Sequence, residues 1–234
     1  MMRHHRAIVI AGAAALALLT APARADGLVV AEVHGGSLKP GQTLDAAQPV
    51  KLEVGQRVTL IADNGAIIKL TGPFDGVPDP QGKRMGSVAD SMLKLASQST
   101  QGAWSMGAVR APESPPPEPW LVSVGSSGQR CLQDGRPVVF WHNPPAAETD
   151  VEISPADHAW RADTKWPAGL DKLAMPADFP AEDNRSYVIA VGGDSATVTL
   201  HIIPPVFSSD AMRAAWMLEK GCIGQARVLV DSLK

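Results

Sequence analysis

Histidine is the side chain that most often serves as a metal ligand or general base, and it occurs six times in this 234-residue chain. Four of the six follow the apolar N-terminal segment, and no two of these have HxH or HxxxH spacing. They are His34, His142, His158 and His201. His142 and His158 could converge with Asp150 or Asp157 after folding, but such scatter is typical of polar strand and loop positions. We therefore predict no metal site and no cofactor.

Two serine segments are the other candidates for chemistry. Gly193-Asp194-Ser195 begins like the nucleophile motif of trypsin-like proteases, but Ala196-Thr197 replaces the two glycines of that motif, and no Ala-His-Cys segment supplies a base. The segment at 125–128, Gly-Ser-Ser-Gly, lacks the GxSxG spacing of a nucleophile elbow. We predict a turn at the first segment, a loop at the second, no catalytic residue, and a protein that is not an enzyme.

The first 25 residues have the organisation of a cleavable export signal. Basic residues precede an apolar run over 7–19, which is shorter than the roughly 20 residues that cross a membrane. Ala23-Arg24-Ala25 then places small residues at the two positions that a signal peptidase recognises. We predict cleavage between Ala25 and Asp26 and a periplasmic or secreted mature protein. The alternative is an uncleaved N-terminal anchor.

The predicted mature chain is acidic. Its net charge changes from −3 to −6 on cleavage, because residues 1–25 contain three arginines and no acidic residue. No cysteine precedes Cys131, so a lipoprotein-type anchor at the cleavage point is excluded. An acidic exported chain is not typical of nucleic-acid-binding proteins. We expect no nucleic-acid partner and no integral membrane segment after cleavage.

The chain has two cysteines, Cys131 and Cys222. Exported proteins work in an oxidising compartment, where such thiols pair. A redox or nucleophilic thiol would need a CxxC pair or a neighbouring histidine motif, and the sequence has neither. We predict a Cys131–Cys222 disulfide that ties the C-terminal end of the chain to its second half.

Residues 50–73 alternate apolar and polar side chains with the period of a β-strand. The predicted inward positions are Val50, Leu52, Val54, Val58, Leu60, Ala62, Ala66, Ile68 and Leu70. Asn64-Gly65 predicts a two-residue type I′ turn, in which both central residues have positive φ. Gly72-Pro73 ends the last strand, because proline has no amide hydrogen for the ladder. With a further strand at Leu28–Val33, these residues predict a small β-domain.

Val54–Leu60, Asn64-Gly65 and Ile68–Pro73 resemble the FecR-type periplasmic β-repeat over about residues 45–76. In that family the domain relays signals by protein–protein contact, usually behind a membrane anchor and a cytoplasmic segment that regulates a sigma factor. A predicted cleavable signal stands in their place here. The resemblance therefore implies an envelope β-domain that binds a protein partner, without sigma-factor regulation. The candidate contact loop, Thr71–Asp79, contains Phe74, Asp75 and Val77.

Residues 87–119 separate two β-rich halves. Ser87–Gln98 places Val88, Met92 and Leu95 on one helical face, which predicts a helix. Residues 111–119 are acidic and proline-rich, which favours an extended, stiff linker over a proline-recognition ligand. We predict a FecR-like domain at 26–110, a linker at 111–119 and a second domain at 120–234.

Short apolar segments separated by turn signals recur after the linker. The predicted strands are Trp120–Val124, Pro137–His142, Val151–Ser154, Tyr187–Val191 and Ala196–Ile203. Gly192–Ser195 is the predicted turn between the last two. Short strands at this spacing are typical of a β-sandwich, and we predict an immunoglobulin-like one.

The period changes from strand to helix after residue 207. Ser208 or Ser209 can cap a helix that Gly221 ends in the left-handed conformation. The apolar positions of this helix and of a second one are Ala211, Ala215, Leu218, Ala226, Leu229, Val230 and Leu233. The chain also resembles an uncharacterised family of exported proteobacterial proteins that end in such a segment, here with Trp216 and Gly221-Cys222.

Tryptophan occurs six times, more often than tyrosine or phenylalanine. A sugar-binding platform would expose two or three rings in a row, whereas core packing is the more usual role. Trp160 and Trp166 are the candidate ligand aromatics. The function that we predict is a non-catalytic periplasmic binding or signalling accessory acting through protein–protein contacts in the cell envelope. A carbohydrate- or peptidoglycan-binding module is the alternative, and an envelope hydrolase comes third.

Overall fold

A computed structural model describes residues 27–79 and 115–233. The predicted signal peptide, its cleavage site at Ala25–Asp26 and the predicted helix at Ser87–Gln98 lie outside the described residues, as do positions 111–114 of the predicted linker. Within the described part the chain is mainly β, with fourteen strands and two C-terminal helices. No helix in that part is long and apolar enough to cross a membrane.

The first half contains six strands in two antiparallel sheets. They are β1 (Gly27–His34), β2 (Thr43–Asp45), β3 (Val50–Leu52), β4 (Arg57–Ala62), β5 (Ile67–Thr71) and β6 (Phe74–Gly76). The larger sheet has the order β2-β1-β4-β5, and β3 pairs with β6. The predicted strand at Leu28–Val33 and the ending of β5 before Gly72-Pro73 are both confirmed.

The larger sheet of the first half is apolar on both faces. One face carries Leu28, Leu60 and Ile68 in a core of its own, together with Val50 and Leu52 of the smaller sheet. The opposite face belongs to a different core. The prediction for Val54 is wrong: this side chain is 82% exposed, because residues 53–56 form a turn between β3 and β4.

The Asn64-Gly65 segment forms a hairpin turn of a different type from the one predicted. Gly65 has φ 80°, but Asn64 is not in the left-handed region, so the turn is not type I′. The Gly65 amide donates to Ala62 O (2.8 Å) and the Ala62 amide to Ala66 O (2.9 Å). This is a three-residue loop, residues 63–65, with glycine at its left-handed position.

The second half contains eight strands in two sheets. They are β7 (Val122–Ser123), β8 (Gly128–Gln133), β9 (Val139–Trp141), β10 (Thr149–Pro155), β11 (Ala162–Trp166), β12 (Lys172–Ala174), β13 (Arg185–Val191) and β14 (Asp194–Ile203). The larger sheet has the order β11-β10-β13-β14-β8 and the smaller one β12-β9-β7. All pairs are antiparallel except β14 with β8 and β7 with β9.

The two sheets of the second half enclose a core, which makes this half sandwich-like. The smaller sheet contributes Val122 and Phe140, and the larger one contributes Val151, Ile189 and Val198. Buried residues alternate with more exposed ones along β13, as the period of a strand requires. The prediction of a mainly β chain with a sandwich-like second half is therefore confirmed.

Two helices close the chain: α1 (Asp210–Glu219) and α2 (Ile223–Asp231). The Ser209 side chain accepts a hydrogen bond from the Met212 amide, so the predicted N-cap is confirmed. Gly221 ends α1 with φ 79°, and the Cys222 amide donates to Met217 O (2.8 Å), as in a Schellman motif. Leu233 lies beyond α2 and is exposed, so its predicted place on the buried face is wrong.

Helix α1 packs against both halves. Its buried residues Met212 and Trp216 share a core with Ile61 and Ile67 of the first half and with Ile203 of the second. A salt bridge of 2.8 Å from Lys69 Nζ to Glu219 Oε2, and a hydrogen bond from Ser209 Oγ to Asp63 O, join the same elements. We call the buried cluster that contains Met212, Trp216, Ile61, Ile67 and Ile203 the shared core.

Candidate functional site

A groove runs along the open side of the sandwich, between the edge strands β11 and β12. Its volume is about 610 Å³. The lining residues are Ile153, Trp160, Ala162, Asp163, Thr164, Ala174, Met175, Pro176, Asp178, Phe179 and Pro180. Both flanking strands are at the end of their sheet, and no strand formed by residues 27–79 or 115–233 lies on the outer side of either. We call this feature the edge groove.

Small side chains on β11 leave the edge groove open. Ala162 pairs with Ile153 of β10, and Thr164 pairs with Val151. Directly opposed residues in an antiparallel pair project from the same face, so Ala162 and Thr164 face the sandwich interior together with two core residues. They are too small to close the space between the sheets. Ile153, a buried residue of the sandwich core, therefore forms part of the groove lining.

An aromatic cluster forms the wall of the edge groove. The Trp160 ring lies 6.3 Å from Phe179 and 6.2 Å from Tyr187, measured between centroids, and Phe179 also contacts Phe140 edge-on at 5.8 Å. The Tyr187 hydroxyl donates to Pro180 O and accepts from the Glu182 amide. Burial raises the pKa of this hydroxyl, which keeps it a donor. The segment that carries Phe179 is thus fixed to β13.

The two candidate ligand tryptophans have different surroundings. Trp160 is partly buried and lines the edge groove. Trp166 is fully buried, and its Nε1 donates to Leu170 O at 2.8 Å, so it offers no ring face to a ligand. The pair therefore does not form an exposed row of rings.

Charged residues on β11, and Arg161 directly before it, form ion pairs along the sheet. Arg161 contacts Glu152 (3.0 Å) and Asp163 (2.9 Å), and Lys165 contacts Asp150 (2.7 Å). The hydrogen bond to Asp150 raises the pKa of Lys165. All these groups are exposed, so each pair adds little stability. They do place charge beside an open edge, a usual device against unwanted strand pairing.

The candidate contact loop of the first half is partly occupied by β6. Phe74 pairs with Leu52 of β3, and its ring packs against the core of the first half. Asp75 and Val77 are exposed, Val77 by 52%. The structure brings these three residues to no common cavity among the described residues, and their role in partner binding stays a prediction.

A second, smaller cavity lies at one end of the sandwich. Its volume is about 220 Å³, and its lining residues are Val124, Gly125, His142, Val191, Asp194 and Ser195. We call it the end cavity. Asp194 and Ser195 start β14 directly after the two-residue Gly192-Gly193 turn, which is narrower than the predicted turn at Gly192–Ser195. In the described part of the chain, no hydrogen bond joins the side chains of His142, Asp194 and Ser195.

His142 and His158, whose convergence in the fold the sequence left open, lie far apart in the structure. His142 packs on Trp166 (centroids 5.7 Å apart), which pairs with Thr149 at the start of β10. His158 follows Pro155, at the other end of that strand. Seven strand residues span about 20 Å. Across residues 27–79 and 115–233, no three His, Cys, Asp or Glu side chains gather to hold a metal ion.

Cys131 and Cys222 have disulfide geometry, with sulfur atoms 2.00 Å apart and Cα atoms 5.9 Å apart. Both residues are buried in the shared core. Gln225, on the first turn of α2, is 2% exposed and forms hydrogen bonds with the backbone of Cys131 on β8. Its Oε1 accepts from the Cys131 amide (2.8 Å), and its Nε2 donates to Cys131 O (2.8 Å) and Pro119 O (2.9 Å). No sequence motif marks this glutamine.

His201 is a buried histidine on β14 that packs against α1. Its Nε2 lies 2.7 Å from Gln129 Oε1, and its ring contacts Trp216 edge-on. Burial lowers the pKa of His201, the positive charge of Lys220 lowers it further, and Asp183 opposes them. The unfolded chain therefore binds more protons than the folded one between this lowered pKa and the ordinary value of about 6.5.

We expect the free energy of unfolding to be at its full value above about pH 6.5 and to decrease as the pH falls from there toward the lowered pKa of His201. His201→Gln, which keeps a neutral amide donor, should remove that decrease. Urea unfolding at about pH 7.5 and about pH 5.5 measures it, with His158→Gln, on an exposed residue, as the control. Equal pH dependence in the His201 variant and the wild type would contradict the prediction.

The chain matches no known family model, and no curated protein matches it significantly.

Proposed function

We propose that the protein is a non-catalytic binding accessory of the cell envelope, and that the edge groove is its binding surface. The groove is the single observation that carries this proposal, because an open apolar space of about 610 Å³ is in the size range of ligand sites. The predicted export signal and the Cys131–Cys222 pair support a place outside the cytoplasm.

The occupant that fits the groove is an extended polypeptide segment of a protein partner. The outer edge of β11 offers backbone N–H and C=O groups that no strand of the described part pairs, so a partner strand can continue the sheet there. An apolar side chain of that segment would then enter between Ala162 and Thr164 and contact Trp160 and Phe179. Backbone pairing supplies affinity, and the aromatic wall selects the side chain.

A glycan is the second candidate, favoured by one feature of the same groove. The partly exposed Trp160 lines this groove together with the acidic residue Asp178. An aromatic face with neighbouring hydrogen-bond acceptors suits a sugar ring, which has an apolar face and a rim of hydroxyl donors. This candidate would make the protein a carbohydrate- or peptidoglycan-binding module.

The first half contributes contacts of its own in this proposal. It has a four-stranded antiparallel sheet with a hairpin loop at Asp63–Gly65, and we propose that it acts as a FecR-like β-module, which relays a signal by contact. The exposed Asp75 and Val77 remain the proposed contact residues there. Because α1 packs on both halves, a partner bound at one half can influence the other through the shared core.

Filling the edge groove should abolish partner binding. Ala162→Leu adds a branched side chain where Ala162 now leaves space, and it removes none of the aromatic contacts. The wild type should capture specific envelope proteins that crosslink to β11. We expect both Ala162→Leu and Trp160→Ala to lose these proteins. The measurement is quantitative mass spectrometry of material captured by the immobilised protein.

Trp120→Ala is the matched control, because Trp120 is also partly buried but lies outside the groove, beneath the Arg136 guanidinium. It should leave capture unchanged. Equal capture by the wild type and by Ala162→Leu would contradict the proposal. Co-sedimentation with isolated peptidoglycan that Trp160→Ala abolishes would establish the glycan candidate instead.

A further inference from the structure

The hydrogen-bond pattern of β10 determines which backbone groups of β11 its own sheet uses. The Gly192 amide donates to Asp150 O at 3.0 Å, and the Ala156 amide donates to Ser186 O at 2.9 Å. Positions 150 and 156, and the even positions between them, therefore bond toward β13. Successive residues of a strand direct their N–H and C=O groups to opposite sides, so the odd-numbered residues of β10 bond toward β11.

On β11 the same alternation directs Asp163 and Lys165 away from the sheet. The odd-numbered residues of β10 oppose Ala162 and Thr164, which are thus the residues that bond to β10. Asp163 and Lys165 alternate with them, so their N–H and C=O groups point to the outer edge, where no strand of residues 27–79 or 115–233 lies. Two donors and two acceptors are therefore available to an added strand.

The side chains of an added strand would fall into two groups. Residues opposite Ala162 and Thr164 face the edge groove, because these two side chains face the sandwich interior. The residue opposite Asp163 faces outward, as Asp163 does. Trp160 lies two positions before Ala162, and its ring is 6.3 Å from that of Phe179, so the groove-facing positions meet an aromatic surface. The groove therefore suits two apolar residues separated by one outward residue.

The outward face beside β11 has an excess of negative charge. Glu152 and Asp163 are directly opposed across the two strands, and the single guanidinium of Arg161 contacts both, at 3.0 and 2.9 Å. Lys165 also contacts two carboxylates, at 2.7 and 3.7 Å. A basic side chain opposite Asp163 is therefore favoured, whereas an acidic one would add a like charge directly opposite. Charge that excludes strands in general selects a strand of complementary charge.

We propose that the edge groove binds a partner segment with the pattern apolar–basic–apolar, which runs antiparallel to β11 with its basic residue opposite Asp163. This inference rests on the binding function proposed above and adds the sequence class of the partner segment. The two strand pairs next to this edge are both antiparallel. In that arrangement Asp163 and the basic residue exchange both of their backbone hydrogen bonds, and Lys165 does the same with the residue two positions before the basic one.

Binding of the end-blocked peptide Ser-Thr-Ile-Lys-Ile-Thr-Ser to the full chain, followed by NMR titration, tests the pattern. One reference peptide has glutamate in place of lysine, and a second exchanges the lysine with the isoleucine after it, which destroys the alternation. We expect the lysine peptide to bind at least about threefold more tightly than the glutamate peptide, because attraction replaces repulsion at one exposed pair. The permuted peptide should also bind more weakly than the lysine peptide.

A charge reversal on the protein supplies the matched variants. Asp163→Lys should reverse the order of the lysine and glutamate peptides, and its fold is not in question because Asp163 is exposed. Asp134→Lys makes the same change at an exposed residue directly after β8, the strand at the opposite end of the sheet. This control should keep the order of the wild type.

Amide hydrogen exchange locates the bound strand. Saturating lysine peptide should slow exchange at Asp163 and Lys165 and leave Ala162 and Thr164 unchanged, since β10 already bonds the latter two. The proposal is overturned if the lysine peptide does not bind, if it binds no more tightly than either reference peptide, or if Ala162 and Thr164 gain the protection instead. Any of these results leaves the proposed function standing as long as Ala162→Leu abolishes capture of envelope proteins, whereas equal capture by that variant and the wild type removes both.

Discussion

Replacing both cysteines, as Cys131→Ser with Cys222→Ser, should lower the free energy of unfolding by about 4 to 5 kcal/mol. The pair is 91 residues apart in sequence, so the bond removes much conformational entropy from the unfolded chain. Both positions are buried, and the serine hydroxyls add a further cost, which a double alanine variant avoids. Guanidinium unfolding of both variants against the wild type measures the difference.

The same variant tests whether the two halves are coupled. The cysteines lie in the shared core, which also contains Ile61 and Ile67 of the first half. We therefore expect faster amide hydrogen exchange at β4 and β5 as well as at α2, because opening α1 uncovers both sheets. Unchanged protection of Ile61 and Ile67 alongside faster exchange in α2 would show instead that the first half is stable by itself.

Local chemistry explains which elements could be predicted from the sequence. The hairpin of β13 and β14 is predictable because seven or more alternating residues flank a glycine turn. Both ends of α1 are predictable, because Ser209 caps its start and Gly221 ends it through contacts with their immediate neighbours. The disulfide is predictable because the chain has only two cysteines and a predicted export signal. Each of these signals lies within a few residues of the feature that it specifies, or involves a single possible pair.

The edge groove could not be predicted, because it depends on strand register. β11 has the sequence Ala-Asp-Thr-Lys-Trp, whose residues before Trp166 are exposed, so it carries no apolar alternation. Only its pairing with β10 reveals that Ala162 and Thr164 replace large side chains at the sandwich interior. The prediction for Val54 is wrong for a related reason. Val54 is a turn residue, but it continues the apolar alternation of β3, which ends at Leu52.

Neither the end cavity nor the shared core could be predicted, because both are formed by tertiary contacts between residues that are distant in the sequence. His142 and Asp194 have no spacing that marks a site, because their approach follows from the stacking of two sheets. The contact of α1 with the first half depends on Ile61 and Ile67, whose strands are apolar on both faces. A strand pattern with both faces apolar indicates that a second layer exists, but it does not identify the layer.

Gln225→Leu should lower the free energy of unfolding by about 3 kcal/mol, although it replaces a polar buried side chain by an apolar one of similar size. β8 is the edge strand of the larger sheet, and its parallel partner β14 lies on one side only. The Gln225 amide takes the place of the missing neighbour: it accepts from the Cys131 amide and donates to Cys131 O. Leucine would leave both backbone groups buried without a partner, at about 1 to 3 kcal/mol each.

Gln133→Leu on the same strand is the control that isolates this effect. The Oε1 atom of Gln133 is buried and has no hydrogen-bond partner, so its removal should be neutral or slightly stabilising. Urea unfolding of both variants distinguishes the two glutamines. If Gln225→Leu were no less stable than Gln133→Leu, burial of the side chain and not its pairing with Cys131 would determine its contribution. Because Gln225 and the disulfide both act on Cys131, their effects on the free energy of unfolding should be non-additive.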